Sequence, residues 1–489
     1  MPVRAASLAL AGAISFAFAA PLAAQEKDWE ATARSDIEAA FVTYRDNHPG
    51  WHDAENPGFR KQLEAARDAG LAKAAGAARL EDYALALGAF NAALSDGHAR
   101  LGIEWPSGTA APKPLWPGFV LAWRGQQALV HYSAPGSGWT KGSVILSCDD
   151  RPFNGFAHDR IGLMGGRPAE AGHWWARMPM VLVGADTDIP ARECTAMEPD
   201  GRVATHRLQW TSPPENVAAL RRAAGEGDPL PIGLTTPADG IHWIALPSFS
   251  PDGDGRAAYD RLFADLAAQH DALASARAVV IDLRGNQGGS SRWSRQVAQL
   301  LWGEEAVSAR MDEYFRHVSI WWRASEDNRA YLESLEDVLA DQPAILEFVK
   351  RAEQGLAGAM AAGETYWVEP DEEGETGAAP PSAATGFASP VYVIVPGHCA
   401  SACLDALDVF TRFGNTTLMG APSAADSTYM EVREDRLPSG DGLIVVPLKV
   451  WHGRPRPSGF VYHPRIRIDD LDWSQDVLLQ AVRKDLAGA

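Results

Sequence analysis

The chain has 489 residues, with 63 acidic against 44 basic side chains and a formal net charge of −19. This length exceeds one ordinary domain, so we expect two or three domains. An acidic balance without a basic cluster argues against a protein that binds nucleic acid or anionic membranes. The 13 histidines lack the spacing of metal ligands, which argues against a metal hydrolase.

Residues 1–24 have the pattern of a cleaved export signal. Arg4 precedes an apolar, alanine-rich stretch from Leu8 to Ala20, and small residues before Gln25 offer a cleavage site. The stretch is too short to span a bilayer comfortably, and no other run of about 18 apolar residues follows. We therefore predict a periplasmic or secreted protein without membrane insertion.

Residues 25–105 predict a helical N-terminal domain, because apolar and charged side chains alternate there at helical spacing. This segment ends in the sequence Asp96-Gly97-His98. Residues 106–212 begin with a proline-punctuated linker and then carry short apolar runs between Gly, Ser and Pro turns. That pattern predicts a β-rich module. Its first expected strands are 118–123, 127–133 and 143–148.

The four cysteines permit three full pairings in an exported chain. Cys148 and Cys194 both fall in the β-rich module, and an oxidising compartment favours a bridge between them. Cys399 and Cys403 flank Ser401, where a bridge would close a very small loop. A C-x-x-x-C pair at the start of a helix is more often two small packed residues, so this second pairing stays open.

An α/β pattern begins at Gly240. A predicted strand at 242–246 and a helix over roughly 255–274 precede a second apolar strand, and this order implies parallel strands with a right-handed crossover. That second strand ends in the sequence Asp282-Leu283-Arg284-Gly285-Asn286-Gln287-Gly288-Gly289. Its glycines let backbone N–H groups approach a ligand closely. A dinucleotide fingerprint requires G-x-G-x-x-G, which is not matched here.

The same strand-and-turn pattern recurs at the predicted strand Val391–Val395. A Pro-Gly-His turn follows, and a helix then opens around Ser401. A serine at a helix start is ordinarily an N-cap. At this junction, however, the helix aims free N–H groups and its positive dipole end at any bound oxyanion. Ser401 is therefore the candidate nucleophile of an acyl-transfer site.

The segment 309–388 separates the two turns. Residues 309–356 predict helices, and the Gly-, Ala-, Glu- and Pro-rich tract 362–388 lacks the apolar periodicity that would dock it. This insertion is expected to be either a lid that gates substrate access or a decorative helical subdomain. A strand at 416–419 and a hairpin of 429–433 with 443–450 complete the predicted fold.

Together the two turns resemble the catalytic core of the tail-specific, or C-terminal-processing, serine peptidases, whose superfamily includes the tricorn protease core. The family motif D-L-R-x-N-x-G-G is matched in full at Asp282–Gly289, and its Ser-Ala pair is matched at Ser401-Ala402. The resemblance implies a multidomain α/β protein. A crotonase-like (ClpP/crotonase-type) catalytic domain would span 213–489, joined to the helical N-terminal domain.

Family members commonly carry a PDZ-like module at the place of residues 106–212. The resemblance then implies that Gly118 and Phe119 belong to a substrate-binding loop of the carboxylate-binding type. The long stretch 157–190 does not fit a minimal PDZ module, although it is compatible with a β-rich fold.

The resemblance also implies the rest of the catalytic set. Backbone amides of Ala402 and of Gly288 or Gly289 would form the oxyanion hole. The Ser/Lys branch of the family places its lysine where this chain has Asp426, so that dyad is absent. The tricorn-like branch takes a histidine from a D-x-H segment, which makes His98 the predicted base.

Two further assignments stay open between alternatives. His398, three residues before Ser401, is the second candidate for the base, although the tight turn is expected to point it away. The orienting acid is Asp426 or Glu431, with Asp426 preferred, because the glutamate of the tricorn pattern is missing near the C-terminus. Asp282, Arg284 and Asn286 are expected to brace the first turn.

These residues predict an exported serine endopeptidase that hydrolyses polypeptides without a metal or organic cofactor. The alternative is a non-catalytic ligand- or peptide-binding protein on the same scaffold, of which the superfamily contains examples such as retinoid carriers. The missing lysine and glutamate are the features that keep this alternative open. The oligomeric state does not follow from the sequence.

Overall fold

The computed structural model describes residues 27–104, 112–186, 189–370 and 386–488. The predicted export signal lies outside the described residues, as do parts of the linker and of the 362–388 tract. The helices are α1 (Trp29–Asn47), α2 (Phe59–Ala74), α3 (Leu80–Leu94), α4 (Phe153–Leu163), α5 (Ala171–Arg177), α6 (Val217–Glu226), α7 (Gly253–Ala268), α8 (His270–Ala274), α9 (Arg292–Trp302), α10 (Glu304–Phe315), α11 (Glu326–Val338), α12 (Pro343–Ala361), α13 (Ala402–Phe410) and α14 (Gln475–Gly488).

Strands alternate with these helices along the whole chain. They are β1 (Arg100–Ile103), β2 (Pro114–Leu115), β3 (Phe119–Arg124), β4 (Gln127–Ser133), β5 (Val144–Cys148), β6 (Arg151–Pro152), β7 (Gly184–Ala185), β8 (Glu193–Met197), β9 (Val203–Arg207), β10 (Gly233–Ala238), β11 (Ile241–Ala245), β12 (Ala278–Asp282), β13 (Ser319–Arg323), β14 (Tyr366–Val368), β15 (Val391–Val395), β16 (Thr416–Gly420), β17 (Tyr429–Arg436), β18 (Gly442–His452) and β19 (Ile466–Arg467). None of the described helices is both long and apolar enough to cross a bilayer.

The central sheet has the strand order β10-β11-β12-β15-β16-β19. All of its neighbours run parallel except the edge pair β10 and β11. The predicted parallel pairing of the strands before and after α7 is confirmed. Every residue of β12 and β15 is buried, as expected for parallel strands that are covered by helices on both faces. Because β12 and β15 are parallel neighbours, the two predicted turns leave the same edge of the sheet.

The β-rich module is an antiparallel sheet in the order β3-β4-β5-β8-β9, with β6 on the edge of β5. Cys148 and Cys194 lie directly opposite each other on β5 and β8 and are joined by a disulfide, with their Cα atoms 4.0 Å apart. The module extends past the predicted boundary at residue 212. Ala224 of α6 is buried against Val120 and Ala122 of β3, so α6 belongs to the module.

The N-terminal helices do not form a separate unit, because they share one core with the β17–β18 hairpin. Tyr44 and Phe90 are fully buried in the same cluster as Ile444 and Val446. The Tyr44 hydroxyl donates to the Val445 carbonyl at 3.0 Å, and β1 pairs with β18. The segment that carries His98 is therefore fixed to the C-terminal half of the chain.

The prediction of continuous helices over residues 309–356 is wrong at Ser319–Arg323. This segment is β13, which pairs with β18 on one side and β14 on the other. Trp322 is buried among side chains of α11 and α12. The charged residues around Ile320-Trp321-Trp322 favoured the prediction of a helix, whereas bulky side chains such as these favour extended backbone.

The pairing of β13 with β14 and β18 argues against a free lid over residues 309–370. The Tyr366 hydroxyl also donates to the Pro49 carbonyl at 2.6 Å, and the Asn328 amide donates to the Asn47 carbonyl at 3.0 Å. The described part of the insertion is thus fastened to the sheet and to the N-terminal helices. The remainder of its Gly- and Glu-rich tract, 371–385, lies outside the described residues.

All four cysteines are paired, the second disulfide joining Cys399 and Cys403. We expect peptide mapping without reduction to recover Cys148 linked to Cys194. The Cys399–Cys403 pair should appear within one peptide that is lighter by two hydrogens. Free thiols at either pair, or a link between the pairs, would contradict this assignment.

Candidate active site

The first turn, at the end of β12, is braced by a buried ion pair. The Asp282 carboxylate accepts hydrogen bonds from Arg284 Nη2 at 2.7 Å and Nε at 3.0 Å. It also accepts one from Trp243 Nε1 at 3.0 Å. Arg284 is fully buried, so these groups hold the backbone and do not face a substrate. A two-point guanidinium–carboxylate contact fixes geometry as well as charge.

Asn286 extends this bracing to the glycines. Its side-chain amide donates to the Leu246 carbonyl at 2.8 Å, and its Oδ1 accepts the Gly288 N–H at 2.9 Å. Since Asn286 already binds the Gly288 N–H, that amide is not free for an oxyanion. The Gly289 N–H makes no hydrogen bond within the described residues. Of the two glycines predicted for the oxyanion hole, Gly289 therefore has the free donor.

Both positions require glycine. Gly288 and Gly289 have φ values of 110° and 128°, which side chains rarely adopt. A Cβ on Gly288 would lie only 2.8 Å from the Ser401 Cβ, and one on Gly289 would lie 2.2 Å from the Phe249 carbonyl oxygen. The first turn thus lies directly against Ser401.

Ser401 occupies the junction between the second turn and α13. Its φ of 54° and ψ of −131° are unusual for a residue other than glycine, and its side chain makes no capping hydrogen bond. The ordinary N-cap role is therefore not realised. The neighbouring Ala402 N–H, the first of α13, has no acceptor within the described residues. Backbone strain of this kind is concentrated at functional sites.

The turn around Ser401 is held from two sides. The Cys399–Cys403 disulfide, whose residues are fully buried, ties the start of α13 to the preceding turn. On the other side Gly397 lies against Trp175 of α5, because a Cβ there would be 2.4 Å from the Trp175 ring. The β-rich module thus touches the nucleophile turn directly.

His98 and Asp426 are in contact. His98 Nδ1 lies 3.3 Å from Asp426 Oδ1, and the Asp426 side chain is only 5% exposed. The loop of Asp426 is bonded to the nucleophile turn, since the Ala424 N–H donates to the Cys399 carbonyl at 3.1 Å. The structure therefore brings the D-x-H segment and the loop after β16 to the same side of the sheet as Ser401.

Asp96 fixes the loop that carries His98. Its Oδ1 accepts the His98 backbone N–H at 2.8 Å and the Ser427 hydroxyl at 3.0 Å. Its Oδ2 lies 3.5 Å from His48 Nε2. Burial alone would raise the pKa of Asp96, but the hydrogen bond and charge of His48, with a contribution from His98, hold that pKa below its usual value. The sequence motif contained Asp96, whereas the part played by His48 had no signal in the sequence.

Glu431, the alternative acid, and His398, the alternative base, lie in surroundings that do not suit these roles. Glu431 is exposed and pairs with Lys449 at 3.4 Å, so it is not the partner of His98. His398 is buried, and this burial, reinforced by the charge of Arg124, lowers the pKa of His398 to about 4. An imidazole with so low a pKa is a weak general base.

The proposed substrate loop at Gly118 and Phe119 does not present a side chain to a ligand. Phe119 is 3% exposed, and its ring packs 4.5 Å from that of Trp139 in the core of the β-rich module. The Gly118 carbonyl accepts the Ala134 N–H at 2.8 Å. Phe119 is thus a core residue of β3, and the carboxylate-binding role of the Gly118–Phe119 loop stays a prediction.

One buried and two half-buried histidines predict a loss of stability in mild acid. Burial lowers the pKa of His131 and His398 to about 4 and that of His173 to about 3. Since the unfolded chain binds these protons at about pH 6.5, stability is fully present above that pH and is lost as pH falls towards 4. Each histidine is expected to remove roughly 2 kcal/mol at pH 5.

Thermal melting at pH 7 and pH 5 checks this prediction. His131 lies in β4, away from the catalytic turns, so His131→Gln serves as the variant. Its melting temperature should fall less between the two pH values than that of the wild type. An equal fall in both proteins would show that His131 does not contribute.

Among the described residues no group of three His, Cys, Asp or Glu side chains is arranged to hold a metal ion. Ser401 and the free N–H groups of Gly289 and Ala402 lie together at the two turns, and the His98 imidazole lies beside the Asp426 carboxylate.

Comparison with known proteins identifies a peptidase family that part of this chain matches. Residues 240–452 match the model of Peptidase family S41. The solved structure of mature CPAF superposes with a TM-score of 0.60 at 12% identity, covering 93% of this chain and 98% of that one. Mature CPAF complexed with lactacystin gives a TM-score of 0.59 at 12% identity, over 94% and 97%. The likeness shows that the fold is shared.

A further solved structure, the photosystem II D1 C-terminal processing protease, covers 93% of this chain and 97% of its own at 16% identity, with a TM-score of 0.38. No curated protein is a significant match in sequence.

Proposed function

We propose that Ser401 is the nucleophile of an exported endopeptidase. This proposal starts from residues 240–452, which match the serine-type peptidase family S41. The observation that carries this proposal is the backbone of Ser401. Its positive φ, its side chain free of a capping bond and its contact with Gly288 are the features of a nucleophile at a strand–helix turn. The crotonase-like sheet serves as the catalytic scaffold.

In the proposed mechanism the Ser401 hydroxyl attacks the carbonyl carbon of the scissile peptide bond. His98 takes the hydroxyl proton and later gives it to the leaving amine, which yields an acyl-enzyme that water then hydrolyses. Asp426 beside Nδ1 orients the imidazole and stabilises its charged form. The Ala402 and Gly289 N–H groups hold the oxyanion. Loss of one such donor typically costs about 10²–10³ in rate.

Labelling with a fluorophosphonate tests this proposal. The reagent should modify Ser401 alone, as located by peptide mass spectrometry, because only an activated serine reacts. Ser290→Ala is the matched control, since Ser290 is an exposed serine beside Gly289, and it should label like the wild type. A properly folded wild-type protein that does not label would favour the non-catalytic binding protein on the same scaffold.

Export is part of the same proposal. It rests on the pattern of residues 1–24 and on the pairing of all four cysteines, since stable disulfides are typical of oxidising compartments. N-terminal sequencing of the protein recovered from outside the cytoplasm should begin at Gln25. A protein that retains Met1 and stays in the cytoplasm would contradict the proposal.

A further inference from the structure

A cleft of about 630 Å³ opens beside the catalytic turns. Ala400, which precedes Ser401, and Gln287, which precedes Gly288, both line it. The β-rich module supplies the opposite wall through α5, the turn after it and α6. The cleft therefore adjoins the turn that carries Ser401.

The cleft is rich in arginine. We call it the arginine cleft after its four guanidinium groups, Arg167, Arg177, Arg221 and Arg222, which face a single lining carboxylate, Glu226. Burial raises the pKa of Glu226, although the charge of Arg222 opposes that shift. One carboxylate offsets the charge of four guanidinium groups only in part.

Three of the four arginines have no carboxylate of the described residues within ion-pair distance. Arg167 donates to Glu170 at 2.5 and 2.9 Å. Arg177, Arg221 and Arg222 make no ion pair and no side-chain hydrogen bond with the described residues, although the chain holds 63 acidic side chains against 44 basic ones. Arg177 and Arg222 are exposed and Arg221 is half-buried, so these cations are open to a ligand.

Two imidazole nitrogens complete the cleft. His173 and His398 line it. The buried Nδ1 of His173 and the buried Nε2 of His398 make no hydrogen bond to the described residues. Buried polar groups nearly always have a partner, which a bound ligand or water supplies when the protein does not. The cleft thus offers unpaired cations beside unused hydrogen-bonding groups.

We propose that the arginine cleft is a specificity site that binds acidic side chains, Asp or Glu, of the polypeptide substrate next to the cleavage site. Guanidinium groups bind carboxylates in two-point, charge-assisted contacts. Substrates with an acidic segment at this place gain that contact, whereas neutral segments leave the arginines unpaired. This inference rests on the proposed peptidase function, whose substrate class it names.

A binding experiment with the full mature chain carrying Ser401→Ala tests the inference without cleavage. The probes are two fluorescein-labelled peptides, one with three consecutive Glu residues and one with Gln in their place, both acetylated and amidated. By anisotropy at low salt, the Glu peptide should bind roughly tenfold more tightly, as expected for hydrogen bonds to charged groups. The preference should shrink in 0.5 M salt, because salt screens exposed charges.

Replacement of Arg221 and Arg222 by Gln should bring the ratio of the two affinities close to one. The matched control is Arg202→Gln with Arg207→Gln, which removes the same charge from exposed positions at and before β9 and should keep the preference. Replacement of Arg221 and Arg222 by Lys should retain part of it. Melting temperatures of all variants exclude an effect through unfolding.

Equal affinities of the wild-type cleft for the two peptides would overturn the inference. A preference that persists in the Arg221→Gln/Arg222→Gln variant would also overturn it. So would a gain in affinity that requires a free C-terminal carboxylate on the Gln peptide, because the cleft would then bind a chain end and not acidic side chains. Cleavage of the same peptides by the chain with Ser401 intact reports the proposed peptidase function separately. Selective binding without cleavage would leave the cleft established and refute the catalytic assignment.

Discussion

Replacement of Ser401 by alanine is expected to lower the turnover of an unfolded polypeptide substrate by about 10⁶-fold, the effect measured when a serine protease loses its nucleophile. The folded state should be little affected, because the Ser401 side chain makes no capping hydrogen bond that the substitution would break. The measurement is the release of new amino termini over time, together with the melting temperature. The latter should stay within a few degrees of the wild type.

Ser290→Ala provides the comparison for this experiment, since it removes a hydroxyl from the adjoining turn without touching α13. Its turnover should equal that of the wild type. A Ser401→Ala protein that kept more than a tenth of the wild-type turnover would remove Ser401 from the nucleophile role. Loss of activity in both variants would point to a distorted turn instead.

Replacement of His98 by alanine is expected to lower the rate by roughly 10³-fold or more, because an unassisted serine hydroxyl is a poor nucleophile. Because His98 Nδ1 lies beside Asp426 Oδ1, the proposed mechanism assigns the proton exchange with Ser401 to Nε2. Initial rates on a short peptide over a range of pH values provide the measurement. Fluorophosphonate labelling should slow in parallel, since both reactions require an activated hydroxyl.

His398→Ala is the counterpart variant. We expect it to keep most of the activity, although it lines the arginine cleft and affects substrate affinity there. If activity instead survived in His98→Ala and vanished in His398→Ala, the base would be His398. A wild-type rate that stayed constant down to about pH 5 would support the same conclusion, because the pKa of His398 is about 4.

Local patterns predicted the part of the site that lies on consecutive residues. The apolar run Ala278–Ile281 predicted a buried strand, and this strand is present. The glycines at 288 and 289 predicted a close backbone approach, and the backbone there does lie against Ser401 and Phe249. The hairpin after α13 was likewise predicted, because the turn residues Leu437–Gly440 separate its two strands, and β17 does pair with β18. In these segments local propensity and the final structure agree.

The parts that escaped prediction depend on contacts between distant segments. β13 pairs with β18 across more than a hundred residues, so its helix-like charged neighbours were misleading. The choice of Gly289 over Gly288 as the free amide depends on one side chain, Asn286. The arginine cleft gathers side chains between 167 and 222 that form no cluster in the sequence, and only the fold brings them together.

The core shared by the N-terminal helices and the β17–β18 hairpin determines when catalysis can begin. Asp96 and Ser427, which hold the His98 loop in place, are 331 residues apart in the chain. A ribosome or an export channel releases the N-terminal helices long before β18, so the first part of the chain emerges without the surface that completes its core. Contacts this distant also make folding slow. The proposed base and nucleophile thus meet only in a finished molecule, which keeps a growing chain from cutting itself or its neighbours.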